Sequence, residues 1–120
     1  MATRPLEDEV IHIGQLVVRP DEFLAVAGGH ALSLSVRELG VLVALARRGG
    51  RIVSREDLYR EVWGGAMRSQ DRSVDVYVHK LRTKLAHALP GWQYIHTHFG
   101  FGYRLSPEPS QPFHETALPS

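Results

Sequence analysis

The stretch from Asp71 to Leu85 constrains the fold of this chain more than any other segment. On a helix, which turns about 100° per residue, one narrow stripe of this stretch holds only aliphatic side chains: Val74, Val78, Leu81 and Leu85. The opposite face mixes cations with one valine, and its members are Arg72, Val76, His79, Lys80 and Thr83. Tyr77 lies between the two faces, and Arg82 and Lys84 flank them. The pattern predicts an amphipathic helix over residues 71–85 with a buried stripe and a basic outer face.

Two shorter helices are predicted upstream, each with its own start signal. Ser35 and Glu38 have the spacing of a capping box, and apolar residues follow at helical intervals. Ser54 and Asp57 repeat the start signal. Each helix runs into paired glycines, which suit a helix C-terminus: Gly49-Gly50 after the first and Gly64-Gly65 after the second.

Strand-like segments lie on both sides of the helices. The N-terminal ones are rich in strand-favouring residues and bounded by glycine or proline: Val10–Ile13, Leu16–Arg19, Phe23–Val26 and His30–Leu34. After the third helix, Trp92–His98 alternates like a strand, Phe99–Gly102 turns and Tyr103–Leu105 returns. The order of elements predicts an α+β winged helix-turn-helix domain over residues 10–106. Residues 1–9 are expected to form a leader or linker, and the proline-rich residues 107–120 a disordered tail.

Composition narrows the classes of protein. The chain has no cysteine, which excludes disulfides, thiolate metal sites and cysteine nucleophiles. Neither a signal peptide nor an apolar run long enough to cross a bilayer is present, so we expect a cytoplasmic protein without a membrane partner. Between Arg68 and Arg104 there are six basic and two acidic residues, which favours a polyanionic partner. We expect no cofactor.

The outer face of the third helix carries the chemistry that DNA recognition needs. Arg72 and Lys80 can bind phosphates or guanine edges, and Val76 can contact a thymine methyl group. The donors that can reach phosphates or base edges are Tyr77, His79 and Thr83. The alternative is an ordinary solvated charged face. Asp75 argues against DNA binding unless it pairs with Arg72 or Arg82.

Two other kinds of site are possible from residue types alone. His96 and His98 share one face of a strand and could hold a metal, but surface or DNA-contacting histidines are the more ordinary interpretation, so no metal is expected. Ser73, Asp75 and His79 contain groups used in catalysis, yet all lie on one exposed helix with no sign of a pocket. The chain is therefore not expected to be an enzyme.

Four segments together resemble OmpR/PhoB-type transcriptional regulators, which are response regulators of two-component systems. Arg72–Leu85 resembles their recognition helix, and Gly100-Phe101-Gly102-Tyr103-Arg104 resembles the Gly-x-Gly-Tyr signature of their wing. Leu34–Leu39 and Ile52–Gly64 resemble the first and second helices of that domain. The four matches occur in the order and spacing of the family and span roughly residues 10–106.

The resemblance implies sequence-specific binding of double-stranded DNA for transcription regulation. The third helix would enter the major groove, and the wing, residues 97–104, would approach the neighbouring minor groove. The positions implied to contact DNA are Arg72, Val76, Tyr77, His79, Lys80, Arg82 and, in the wing strand, Thr97. The family also implies binding of direct repeats by a tandem homodimer. RNA polymerase would contact the loop before the third helix, made of Gly65, Ala66, Met67, Arg68, Ser69 and Gln70.

The chain departs from the family at three points. Arginine is frequent in the family where His79 and Phe99 stand here, so Phe99 would contact DNA by packing or wedging rather than by charge. The nine leader residues hold no receiver domain, which leaves open whether this is part of a longer regulator or a stand-alone form. The alternative function is a winged-helix protein-interaction module, for example on RNA polymerase, without DNA specificity of its own.

Overall fold

The computed structural model describes residues 9–110, which begin with a four-stranded antiparallel sheet. The strands, in spatial as well as chain order, are β1 (Ile11–Ile13), β2 (Leu16–Arg19), β3 (Leu24–Ala27) and β4 (His30–Ala31). Leu16 pairs with Ala27 and Val18 with Ala25, and all four side chains are buried. Because side chains alternate across a strand, these residues form the inner face of the sheet.

The predicted bounds of three N-terminal strands need correction. The first strand begins at Ile11 rather than Val10. Phe23 was expected to begin the third strand, but it ends a 3-10 turn, Pro20–Glu22, and has a left-handed φ of 52°. Its N–H donates to the Pro20 carbonyl oxygen at 3.1 Å, and its ring is exposed. The fourth strand ends at Ala31 rather than Leu34, because the chain then turns toward the first helix and the Ser33 carbonyl binds Lys84.

The first two helices start where their capping residues predict. Helix α1 (Val36–Ala46) has a complete capping box, in which Ser35 and Glu38 each accept a hydrogen bond from the other's backbone N–H. Helix α2 (Arg55–Val62) begins at Ser54, whose hydroxyl oxygen accepts a bond from the Asp57 N–H at 3.0 Å. Both predicted start signals are therefore confirmed.

Helix α3 spans Ser73–Ala88, two residues later at its start than predicted and three residues longer at its end. The start moves because the Asp71 carboxylate accepts the Ser73 N–H at 2.8 Å and so stands just ahead of the first turn. The predicted core stripe is confirmed, since its four members are at most 2% exposed: Val74, Val78, Leu81 and Leu85.

A C-terminal hairpin follows α3. Strands β5 (Trp92–His98) and β6 (Gly102–Pro109) pair antiparallel, with Thr97 opposite Tyr103. Strand β6 continues three residues beyond the predicted boundary at 106, so residues 107–109 belong to the hairpin and not to a tail.

At the N-terminal end of the described residues, the Glu9 carboxylate binds Arg47 at 2.7 Å. Residues 1–8 and 111–120, expected as most of the leader and tail, lie outside the described residues.

A single core joins these elements. The buried side chains of β2, β3, all three helices and the hairpin form one continuous cluster. The structure thus confirms the predicted α+β winged helix-turn-helix: a sheet, three helices and a hairpin wing. Within residues 9–110, no helix has the length and apolar character required to traverse a bilayer.

Candidate nucleic-acid interface

The outer face of α3 is open to solvent in its N-terminal and central turns. Arg72, His79 and Lys80 are exposed, and Val76 between them is 46% exposed. An exposed valine flanked by cations lacks the packing role that explains the valines of the opposite stripe. The structure therefore places these four predicted residues together on one accessible surface.

Tyr77 stands at the edge of that surface. Its ring meets Trp63 of the α2 C-terminus edge-on, with 5.5 Å between ring centroids, and Trp63 also stacks on Tyr59 at 5.3 Å. The Lys80 ammonium lies 4.8 Å from the Tyr77 ring centroid, within cation–π range. Tyr77 thus packs α3 against the C-terminal end of α2, and its ring face contacts the Lys80 ammonium.

Arg82 and Thr97 contact each other instead of pointing freely outward. The Arg82 guanidinium donates to the Ile95 carbonyl oxygen at 3.1 Å and to the Thr97 hydroxyl at 2.9 Å. Both side chains are half-buried. This contact joins the middle of α3 to strand β5. The main role of Arg82 in the free domain is therefore to fix the wing relative to the helix.

Thr83 is exposed, but its hydroxyl already has a partner within the helix. It donates to the His79 carbonyl oxygen at 3.0 Å. Such a bond to the preceding turn uses the hydroxyl proton and leaves the methyl group and the oxygen lone pairs for an external contact. Thr83 is thus a weaker hydrogen-bond donor than the sequence implied.

Asp75 connects three elements around the start of α3. Its carboxylate accepts two bonds from Arg55 of α2, at 2.8 and 3.1 Å, and one from the Tyr103 hydroxyl of β6 at 2.5 Å. Arg72 adds a longer ion pair at 3.8 Å. Of the two pairings that the sequence offered for Asp75, the one with Arg72 is therefore present. Arg82 contacts β5 instead, and the main partner, Arg55, was not predicted.

These contacts shift two pKa values. Burial raises the pKa of Asp75, but the hydrogen bonds from Arg55 and Tyr103 and the positive charge of Arg55 outweigh it, so the pKa lies below its usual value. Burial, followed by the hydrogen bond to the Asp75 carboxylate, raises the pKa of Tyr103 to about 12. At neutral pH Asp75 is charged and Tyr103 is its hydrogen-bond donor.

Gly102 allows the wing to lie against the link between α1 and α2. The backbones of Val53 and Tyr103 exchange two hydrogen bonds, at 2.8 and 2.9 Å. Gly102 has a φ of 142°, and a Cβ there would fall 2.0 Å from the Val53 carbonyl oxygen. Only glycine fits this close approach. The Gly-x-Gly-Tyr signature therefore has a structural basis, since Gly102 permits the contact and Tyr103 binds Asp75.

The wing tip is apolar. Phe99 is 88% exposed and Phe101 is 73% exposed, on either side of the turn at Gly100. The tip faces an open cavity of about 410 Å³ between the wing and the helices, lined also by Arg55 and Arg72. Phe99, predicted to contact DNA, thus borders the same cleft as the start of α3.

The predicted polymerase-contact loop is mostly exposed, and the two histidines of β5 have hydrogen-bond partners within the hairpin. In the loop between α2 and α3, Met67 is partly buried against the core, while the other predicted residues are exposed: Gly65, Ala66, Arg68, Ser69 and Gln70. His96 binds the Ser106 carbonyl oxygen at 2.8 Å, and His98 accepts a bond from Arg104 at 3.1 Å. Among the described residues, no group of three or more histidine, cysteine, aspartate or glutamate side chains could hold a metal.

A second ion pair fixes the far half of α3 and was also missed from the sequence. The Lys84 ammonium donates to Glu38 of α1 at 2.7 Å and to the Ser33 carbonyl oxygen at 2.7 Å. Burial raises the pKa of Glu38, but the bonds from Lys84 and the Ser35 N–H hold it below its usual value. The position of Lys84 on the flank of α3 was the one sequence signal for this ion pair. It was not used, because Glu38 was interpreted only as a capping residue.

The sequence pattern of a family described as "Transcriptional regulatory protein, C terminal" matches residues 29–105. The chain belongs to the OmpR/PhoB-type family of transcriptional regulators. The matched segment extends from the β3–β4 turn through α3 and into β6, so it includes the outer face of α3 and the whole wing turn.

Curated relatives of this OmpR/PhoB-type domain are regulators of about twice its length. It is 34% identical over 97 residues to the DNA-binding dual master transcriptional regulator RpaA of Synechocystis, covering 81% of the chain and 40% of that protein. It is 36% identical over 94 residues to the transcriptional regulatory protein AfsQ1 of Streptomyces coelicolor, covering 78% of the chain and 42% of that protein.

Solved structures share the fold over most of the domain. The DNA-binding domain of CpxR from Escherichia coli superposes with a TM-score of 0.74 at 32% identity, covering 82% of this chain and 96% of that one. The DNA-binding domain of RstA from Klebsiella pneumoniae, in complex with the RstA box, has a TM-score of 0.73 at 31% identity and covers 83% and 99%.

The Asp75 contacts predict a stability difference that depends on pH. An Asp75→Asn variant should lose about 1–2 kcal/mol at pH 7, because a charged acceptor of three hydrogen bonds is replaced at a partly solvated position. A carboxylate with a lowered pKa stabilises the folded state above its unfolded pKa, near 3.9, and this contribution disappears as the pH falls through the folded pKa.

The measurement is urea unfolding of both proteins between pH 7 and pH 3. The difference in free energy of unfolding should be constant at neutral pH and shrink below about pH 4. Tyr103→Phe removes one donor and leaves the carboxylate charged, so its loss of stability should be smaller and should depend less on pH. A difference that stays constant or grows on acidification would mean that the Asp75 charge does not stabilise the fold.

Proposed function

We propose that this domain binds double-stranded DNA sequence-specifically and thereby regulates transcription. The observation that carries the proposal is the outer face of α3, where Arg72, His79 and Lys80 surround the exposed Val76. The other side of the same helix is fully buried, so this face has a fixed direction. Its 16 residues give a length of about 24 Å, and an α-helix of normal diameter fits the major groove.

Each proposed contact follows from the side chain and its neighbours. Arg72 and Lys80 bind phosphates or guanine edges, and Val76 packs on a thymine methyl group. His79 donates to a base edge or a phosphate. Four more positions complete the proposed surface: Tyr77, Arg82, Thr83 and Thr97. Arg82 would contact DNA through the N–H groups that do not bind β5.

The wing is proposed to reach the minor groove next to the site contacted by α3. It projects from the same side, since Phe99, Phe101 and Arg72 border one cleft. The similar RstA domain forms a complex with the RstA box, which supports DNA binding by a domain of this fold. Phe99 completes the set of proposed DNA contacts.

Further partners are proposed from the family rather than from contacts seen here. A tandem homodimer on direct repeats would place two recognition helices about one helical turn apart. The loop from Gly65 to Gln70, exposed except at Met67, would contact RNA polymerase, and both partners imply a cytoplasmic location. Selecting bound duplexes from a random pool tests the first idea, because a direct repeat at this spacing supports it and a single half-site contradicts it.

Val76→Glu should abolish specific binding while leaving the fold intact. A carboxylate in the centre of the face would oppose the DNA phosphates and fill the position that packs on a base, so affinity should fall about 100-fold or more. The measurement is fluorescence anisotropy with the selected duplex, alongside circular dichroism.

Val36→Glu is the matched control, because Val36 is also an exposed helical valine, 81% accessible, but lies at the start of α1. It should bind normally. Loss of helicity in Val76→Glu, or equal loss of affinity in both variants, would contradict the assignment of the face.

Salt dependence separates DNA binding from a protein-interaction module. If Arg72 and Lys80 each neutralise a phosphate, replacing either by alanine should reduce the slope of log K against log salt concentration by about 0.9. Arg19→Ala, in β2, should leave the slope unchanged. Binding that is insensitive to salt in all of these proteins would favour the protein-interaction alternative.

A further inference from the structure

We propose that Phe99 and Phe101 form an apolar wedge that enters the minor groove and unstacks one base step beside the segment contacted by α3. This proposal rests on the proposed function, since it specifies how the wing contacts DNA. It makes the wing a reader of DNA deformability rather than of charge.

The exposure of the two rings is the first observation. At 88% and 73%, Phe99 and Phe101 are two of the large hydrophobic side chains that the described residues leave open to solvent. They stand two positions apart in the hairpin turn, with only Gly100 between them. Two phenylalanines at a hairpin tip do not contribute to the core and lower solubility, so a contact that buries them gives them a role.

The second observation is the absence of positive charge at the tip. The segment Thr97–Tyr103 contains no lysine or arginine. Arg104, the next cation along the strand, is already bound to His98 at 3.1 Å and Glu108 at 3.2 Å. The tip therefore offers no lysine or arginine to neutralise a phosphate. Burial of apolar surface is the larger contribution that its side chains can make.

The third observation is that the tip is held in place. The Phe101 N–H donates to the His98 carbonyl oxygen at 2.8 Å and closes the turn, and Gly102 lies against the Val53 backbone. Behind the turn, Tyr103 binds Asp75 on α3. A wedge requires this stiffness, because a flexible loop would fold away from a base stack rather than separate it.

The energetics favour particular DNA steps. Burying one phenylalanine side chain contributes roughly 10- to 100-fold in affinity, which can offset the cost of unstacking a base step. That cost is lowest at the flexible pyrimidine–purine steps TA and CA/TG. The wing should therefore prefer such a step next to the segment read by α3, without a hydrogen bond to either base.

The test uses the full chain and the duplex selected by it from a random pool, with 2-aminopurine placed in turn at adenines of the flanking segment. The wild-type protein should raise 2-aminopurine fluorescence at one step, because unstacking relieves its quenching. Phe99→Ala and Phe101→Ala should each reduce this signal and weaken binding about tenfold, with an unchanged salt slope. Phe99→Arg should restore affinity through charge, with a steeper slope and no unstacking.

Phe23→Ala is the matched control, because Phe23 is 79% exposed but lies at the end of the 3-10 turn beside the N-terminal sheet. It should change neither fluorescence nor affinity. The wedge would be overturned if Phe99→Ala and Phe101→Ala bound with wild-type affinity and gave the wild-type 2-aminopurine signal. If Val76→Glu still failed to bind, the proposed function would remain intact. Sedimentation without DNA adds one further outcome: self-association lost only in the two wing variants would assign the rings to a protein interface and also overturn the wedge.

Discussion

The arrangement of helix and wing depends on the carboxylate of Asp75. This one group receives hydrogen bonds from Arg55 of α2 and Tyr103 of β6 while it stands on the first turns of α3. Three elements that are distant in sequence are thereby fixed at one point. An acidic residue on a proposed DNA-binding helix is unfavourable alone, but here its charge is neutralised by Arg55 and its position serves the geometry of the surface.

Other contacts also fix α3 relative to its neighbours, at further points along its length. Arg82 ties its middle to β5, and Lys84 ties its far half to Glu38 of α1. The aliphatic stripe buries the side toward the core. Because polar anchors hold the flanks and apolar packing holds the back, the helix is fixed in its rotation, and the remaining face always points outward. Such preorganisation matters for readout, since contacts to base edges require precise placement.

Local signals were sufficient for most of the fold. The capping residues Ser35 and Ser54 located two helix starts, and the aliphatic period of α3 identified its buried side, because each depends on residues close together in the chain. The contact between Arg55 and Asp75 could not be found this way, since the partners are twenty positions apart and only the packing of α2 on α3 joins them. The same holds for Glu38 and Lys84. Phe23 was misassigned because its strand-favouring side chain is overridden by the turn that starts at Pro20.

The proposed DNA-contacting residues were chosen from side-chain type and helical phase, and the structure refines them by their partners. Val76 and Lys80 are open, whereas Arg82 and Thr97 bind each other first. Phe99 was anticipated as a departure from charge, but the close approach of Gly102 to Val53, which fixes the base of the turn that carries Phe99, is not evident from the sequence.

The outer face of α3 and the wing are proposed to form one DNA-binding surface. Titration of the ¹⁵N-labelled chain with the selected duplex, followed by backbone amide chemical shifts, tests this proposal. The largest changes are expected from Arg72 to Thr83 and from Thr97 to Gly102, with little change in β1–β4 and α1. Large changes confined to α1 and the N-terminal sheet, with α3 unaffected, would contradict it.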